Sequence, residues 1–277
     1  MPYIRASICD NCQYCSCRAV VEMCVARSCL IFFPLALLIV NGHGARILGL
    51  FPHVGKSHYM VFQPLLQKLA ERGHQVTTVS FFPMRNPPAN YTDVSLEGAS
   101  HLGLESMDLS NFEYRSPLMS VPLLNTLLQS LHEVTVLRDV GLRVCESILN
   151  WPSLADALTR EYDLVLMENF NSDCMLGLMH VYGMRAPIVG ISSCTLLPWT
   201  ADRFGLVDNP AYVPLITTSY TTNMTFKQRL ENSFVNLYLK YWYHQLQEEE
   251  RGMIERHFGV KVPDLEELGK EQTVAIL

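Results

Sequence analysis

Residues 45–82 read ARILGLFPHVGKSHYMVFQPLLQKLAERGHQVTTVSFF. Ala45 to Phe51 is an almost unbroken apolar run that stops at Pro52, the pattern of a buried strand. A Pro/His/Gly loop follows, and then a helical period. Ser57 is a residue type that caps helix N-termini. Phe62, Leu65, Leu66 and Leu69 recur at i, i+3, i+4 and i+7, which puts them on one face. Pro64 has no N–H to donate, so the pattern predicts a kink, or a restart near Val61 that places Pro64 in a first turn. Gly73, after Glu71 and Arg72, supplies a left-handed stop. Gln75 to Phe82 is rich in β-branched residues and reads as a second strand. Strand, helix and strand in so short a span make a βαβ unit, which requires parallel strands.

Working outward, the same alternation continues. Tyr91 to Leu96 reads as a short strand. Residues 105–158 carry helical spacing broken at Pro117, Pro122 and Pro152. Tyr162 to Glu168 reads as a strand, Asp173 to Tyr182 as a helix and Ala186 to Ser193 as a strand. The expected fold class is therefore α/β: a Rossmann-like, mainly parallel sheet with helices on both faces. Residues 199–222 are rich in Pro, Thr and Tyr and show no clear period. From Thr225 to His257 runs a long amphipathic stretch, with Phe226, Leu230, Phe234, Leu237, Tyr241 and Leu246 among its apolar positions. It reads as a surface helix packed on the core, or as one that turns a face to a membrane or an acceptor.

Composition excludes some partners. The net charge is −6 and no basic stripe is present to neutralise phosphates, which argues against nucleic acid. Six of the nine cysteines fall in the first 29 residues, and the first four are spaced C-x2-C-x2-C-x-C. That spacing fits neither a zinc site nor a ferredoxin cluster, so no metal is expected. Residues 1–44 read as a leader. The apolar run 29–40 is too short for a membrane span and has the length of a signal-peptide core. Arg5, Arg18 and Arg27 precede it, and Gly42 and Gly44 stand before a cut at Ala45; a signal anchor is the alternative. Secretory entry would make Asn90-Tyr-Thr and Asn223-Met-Thr glycosylation sites.

The loop 51–58 invites a phosphate-binding reading through Gly49 and Gly55-Lys56-Ser57. A P-loop has four residues between its glycines and this loop has five, so its N–H groups would not converge. Pro52 also removes a donor. His58 is the better candidate. It lies just past a strand's C-terminal end, where α/β proteins place ligands, and an imidazole with an ordinary pKa of about 6.5 suits a general base. A surface or capping histidine is the plainer role, and His43 and His53 are nearby competitors.

Residues 45–78, together with 162–174, 187–193 and 257–264, resemble the N-terminal half of UDP-glycosyltransferases of the UDP-glucuronosyltransferase and insect UDP-glucosyltransferase type. The resemblance implies the N-terminal domain of a GT-B-type enzyme over 45–270, with 271–277 starting an interdomain linker and the donor-binding C-terminal domain absent. It implies that His58 deprotonates a hydroxyl of a small lipophilic acceptor, which then attacks the sugar of a UDP-sugar with inversion, transferring glucose or glucuronic acid. An acidic residue would hold the histidine. Counting without gaps from the strand gives Glu168; the pattern Asn-Ser-Asp-Cys (171–174) gives Asp173, which is favoured because a short side chain in a loop holds an imidazole tightly. No cofactor is implied. The UDP-sugar co-substrate would be bound mainly by the missing domain, so the chain alone should turn over nothing. The acceptor pocket is expected from the loops after the strands and from residues 199–245. The endoplasmic reticulum lumen or membrane, membrane association and homo- or hetero-oligomers follow from the same likeness. The alternative is a non-catalytic lipophile-binding or regulatory module that pairs with intact relatives.

Overall fold

The computed structural model describes residues 44–100, 122–218 and 220–276. The expectations for the leader, the apolar run 29–40 and residues 105–121 therefore lie outside the described residues. The chain divides into Met1–His43 and Gly44–Leu277, and the description concerns the second unit.

Six strands form one parallel sheet: β1 (Arg46–Phe51), β2 (Gln75–Ser80), β3 (Tyr91–Ser95), β4 (Leu164–Glu168), β5 (Ile188–Ile191) and β6 (Thr273–Ile276), in the order β3-β2-β1-β4-β5-β6. Around them stand α1 (Lys56–Glu71), α2 (Pro122–Ile148), α3 (Pro152–Leu158), α4 (Cys174–Val181), α5 (Pro198–Phe204), α6 (Phe226–Phe258) and α7 (Leu265–Gln272). None of these helices is long and apolar enough to cross a membrane.

Both sheet faces are covered, because successive side chains of a strand point to opposite sides. Ile47, Phe51, Val76 and Leu166 pack under α1 with Tyr59, Phe62 and Leu66. Leu48, Leu50, Val165 and Met167 pack on the other side, against α2, α3, α4, α6 and α7 through residues such as Ile148, Leu158, Leu178, Ile254 and Leu265. The chain runs outward from β1 to β3 and then returns to β4 beside β1. The order reverses between β1 and β4, and the crevice above their C-terminal ends is where such sheets bind ligands.

Several local expectations change. Helix α1 starts after Gly55, not Ser57, and runs through Pro64 without a break. Pro64 deprives the Met60 carbonyl of its helical partner, and Met60 is more than half exposed, so solvent can serve instead. The buried stripe is Tyr59, Phe62, Leu66 and Ala70, while Leu65 faces water; packing of Tyr59 and Phe62 on Phe51 sets this phase. Gly73, at φ 92°, ends the helix as expected. Pro122 and Pro152, expected as breaks, each open a helix. Residues 199–222 hold α5. Of residues 271–277, expected as the start of a linker, 271–276 finish α7 and form β6 beside β5.

Candidate active site at the β1–β4 crevice

His58 is the third residue of α1, delivered by the loop after β1. Glu168 is the last residue of β4, and Ser193 lies just after β5. Three neighbouring strand ends thus converge. His58 Nδ1 is 2.6 Å from Glu168 Oε1 and 2.7 Å from Ser193 Oγ, and Ser193 Oγ donates to Glu168 Oε1 at 2.9 Å. A carboxylate can only accept, so Nδ1 carries the proton and the Nε2 lone pair is left to act. The Glu168 side chain is 3% exposed and that of His58 20%, so the acid is sealed below a histidine that reaches the surface.

The imidazole is held from its faces as well as its edge. His53 stacks on it with ring centroids 4.2 Å apart, and the Phe170 ring lies 4.3 Å away, tilted. His53 Nδ1 accepts the Gly55 N–H at 2.9 Å. Burial, with a further contribution from His58, pulls the His53 pKa down to about 4. His53 is therefore a neutral ring and adds no charge beside His58. A Cβ at Gly55 would come within 2.7 Å of the His53 ring, which is why glycine serves here although the φ of −79° suits any residue.

The loop after β4 is anchored from several elements. Trp199 Nε1 donates to the Phe170 carbonyl at 2.9 Å, Thr200 bonds Asn169, and Asn171 Nδ2 donates to the Leu137 carbonyl at 3.0 Å. Asp173, the favoured partner from sequence, is elsewhere. It accepts both Arg203 Nη1 (2.9 Å) and Nη2 (2.6 Å), and both side chains are 2% exposed. Gln247 Nε2 adds a bond at 2.8 Å, and Arg203 also reaches Glu266. The carboxylate at hydrogen-bonding distance of His58 is Glu168. The bidentate fork of Arg203 claims Asp173 because a buried guanidinium needs a carboxylate in contact.

Residues 48–276 match the family described as UDP-glucoronosyl and UDP-glucosyl transferase. The chain belongs to this family. UDP-glucosyltransferase 2 of Dactylopius coccus is 32% identical over 86% of the chain, and the chain spans 44% of that protein. UDP-glucuronosyltransferase 2B17 of Rattus norvegicus is 23% identical over 78% of the chain, spanning 42% of its length. The ecdysteroid UDP-glucosyltransferase of Spodoptera littoralis nuclear polyhedrosis virus is 23% identical over 83%, spanning 45%. The chain thus spans a little under half the length of these relatives.

His53, His58 and Glu168 bring three donor atoms within 4.8 Å of one another. His58 Nδ1 and Glu168 Oε1 bond each other and His53 Nδ1 accepts from Gly55, which leaves the Nε2 atoms of both rings outside these bonds. A cleft of about 760 Å³ opens between α1 and the loop after β2, lined by Lys56, Tyr59, Met60, Phe82, Met84 and Arg85 among others. It lies on the α1 side of the sheet and draws nothing from residues 199–245. Asn90 and Asn223 are both exposed. Cys145 and Cys174 form a disulfide with Cα atoms 5.7 Å apart. Sequence reasoning did not single out Ser193, Phe170 or this disulfide. Ser193 closes a quoted strand and Phe170 follows one, so position past a strand end was the available signal.

Proposed function

We propose that this chain is the acceptor-binding part of a UDP-glycosyltransferase in which His58 is the general base. The observation that carries the reading is the 2.6 Å bond from His58 Nδ1 to Glu168 at the sheet's switch point. His58 Nε2 takes the proton of an acceptor hydroxyl. The freed oxygen attacks the anomeric carbon of glucose or glucuronic acid, the carbon–oxygen bond to the β-phosphate breaks, and UDP leaves with the electron pair, inverting the centre. Glu168 stabilises the imidazolium so formed, and Ser193 keeps carboxylate and ring in register. The acceptor is a small lipophilic alcohol or phenol, and the UDP-sugar is the only co-substrate.

The same reading places the chain in the secretory pathway, in the lumen of the endoplasmic reticulum. The apolar run 29–40, the exposed sequons at Asn90 and Asn223, and the Cys145–Cys174 disulfide support it, since disulfides persist in oxidising compartments. Transfer to a phenolic acceptor from UDP-glucose and from UDP-glucuronic acid, measured on the longest reading frame that contains this sequence, tests the base. His58→Ala lowers kcat by roughly 10²–10⁴. A loss within about threefold removes His58 from the chemistry.

A further inference from the structure

Over its first four turns helix α6 carries an apolar row opposite the face that it packs on the core. Val235, Leu239, Tyr243 and Leu246 turn inward and are buried. Phe226, Leu230, Phe234, Leu237 and Tyr241 fall within about 80° of one another on the far side, at ~100° per residue. Each of these five is between 57% and 79% exposed. A helix that packs one face on a core ordinarily sets charged residues on the other. Here that outer face is a row of aromatic and aliphatic side chains about 24 Å long, at ~1.5 Å per residue.

The exposed charges that residues 226–241 themselves contribute are all positive. The only acid between 226 and 241 is Glu231, which is buried and accepts the Tyr220 hydroxyl. Lys227 and Arg229 are exposed, and the Arg229 bonds from Nε and Nη1 go to the Met224 and Ala211 carbonyls, neutral acceptors that leave its charge in place. Lys240 is taken by Asp202 and Asp208. Beyond Tyr241 the same face turns polar with His244 and Glu248, so the row has a definite end.

We propose that this face of α6 lies in the interface of an anionic lipid bilayer, with the helix axis parallel to the membrane plane. Aromatic and aliphatic residues along one face with cations at its border are what an interfacial helix needs: apolar area to enter the acyl boundary and positive charge for the headgroups. A second copy of the chain fits less well, because pairing two such faces brings cations together with no exposed carboxylate between 226 and 241 to meet them. The proposal does not depend on the catalytic reading of His58.

The test uses the full chain with Phe234→Trp and vesicles of phosphatidylcholine and phosphatidylserine that carry brominated acyl chains. The added indole reports position 234 alone, so binding through residues 29–40 cannot mimic it. Emission of the added tryptophan, taken against the unsubstituted chain, is quenched on anionic vesicles and much less on phosphatidylcholine alone. Leu230→Glu with Leu237→Glu, added to the Phe234→Trp chain, lowers the quenching at 234 at least about tenfold; both positions are exposed, and an unchanged thermal transition confirms the fold. An unquenched Trp at 234, or quenching that the double substitution leaves unchanged, overturns the proposal. So does a concentration-dependent dimer that the double substitution dissolves without any effect on lipid binding, which assigns the face to a second copy.

Discussion

Glu168 and Asp173 stand on the two sides of one loop, and each is committed to a different partner. Glu168 has the His58 imidazole, which reaches solvent; Asp173 has the Arg203 guanidinium, which does not. Substitution should separate them. Glu168→Gln keeps the size of the side chain but removes the charge that stabilises the imidazolium, so kcat falls by about 10² or more while stability changes little. Asp173→Asn leaves Arg203 charged, buried and short of its bidentate partner, which costs on the order of 3–5 kcal/mol. Transfer rates and urea unfolding of the two variants check this. An Asp173→Asn protein of normal stability that transfers no sugar would reverse the assignment. The sequence offered both acids because its spacing excluded neither, and the argument from side-chain length favoured Asp173. What decides the matter is Arg203, thirty positions along the chain, and no local pattern announces a partner at that distance. His58 was readable because strand-end position and titration range are both local properties.

Strands β1 to β5 and helices α1, α4 and α6 were legible as elements because each carries its own period or β-branched run. Their ends were not, since the last residues of a strand or helix are fixed by what they pair with. Elements without a period were missed. Helix α5 has only seven residues, although Pro198 at its start and Gly205 at φ 62° beyond its end are ordinary helix signals. Strand β6 has four residues and is defined by its ladder with β5, a partner its sequence cannot name. The Cys145–Cys174 bridge was equally hidden, because cysteine spacing does not give connectivity. It ties the last turns of α2 to the first residue of α4, and α4 begins six residues after Glu168 leaves the sheet. Closing a loop with a sequence separation of 29 should stabilise the fold by about 3–4 kcal/mol. Cys145→Ala with Cys174→Ala is expected to lower the urea midpoint accordingly. A shift of under about 1 kcal/mol shows that the bridge adds little to an already packed contact.

For the whole molecule the same economy of buried charge makes stability depend on pH through two groups with opposite signs. Glu250 in α6 is fully buried, accepting Ser172 Oγ at 2.5 Å and the Asp173 N–H at 2.9 Å. Burial, together with the charges of Asp173 and Glu249, raises its pKa to about 8 from the ordinary 4.5. Its native state therefore holds a proton that the unfolded chain releases. That contribution is fully present below about pH 4.5, declines as pH rises and is gone once pH passes about 8; it is on the order of 4–5 kcal/mol. His53 acts in the opposite direction. Its pKa falls from 6.5 to about 4, so the unfolded chain binds the proton first and stability is lost as pH falls from 6.5 through 4. The two oppose each other between about pH 4.5 and 6.5. Above 6.5 Glu250 acts without His53, so urea midpoints should fall between pH 6.5 and 8.5. Glu250→Gln keeps the size and remains neutral: its amide oxygen can accept the Asp173 N–H, and its NH₂ can donate to Ser172. In that variant the decline above pH 6.5 should flatten, while stability near pH 6 stays close to that of the parent. A decline of equal slope in both proteins would mean that Glu250 is already ionised in the fold and that Arg203 and Gln247 compensate it through Asp173.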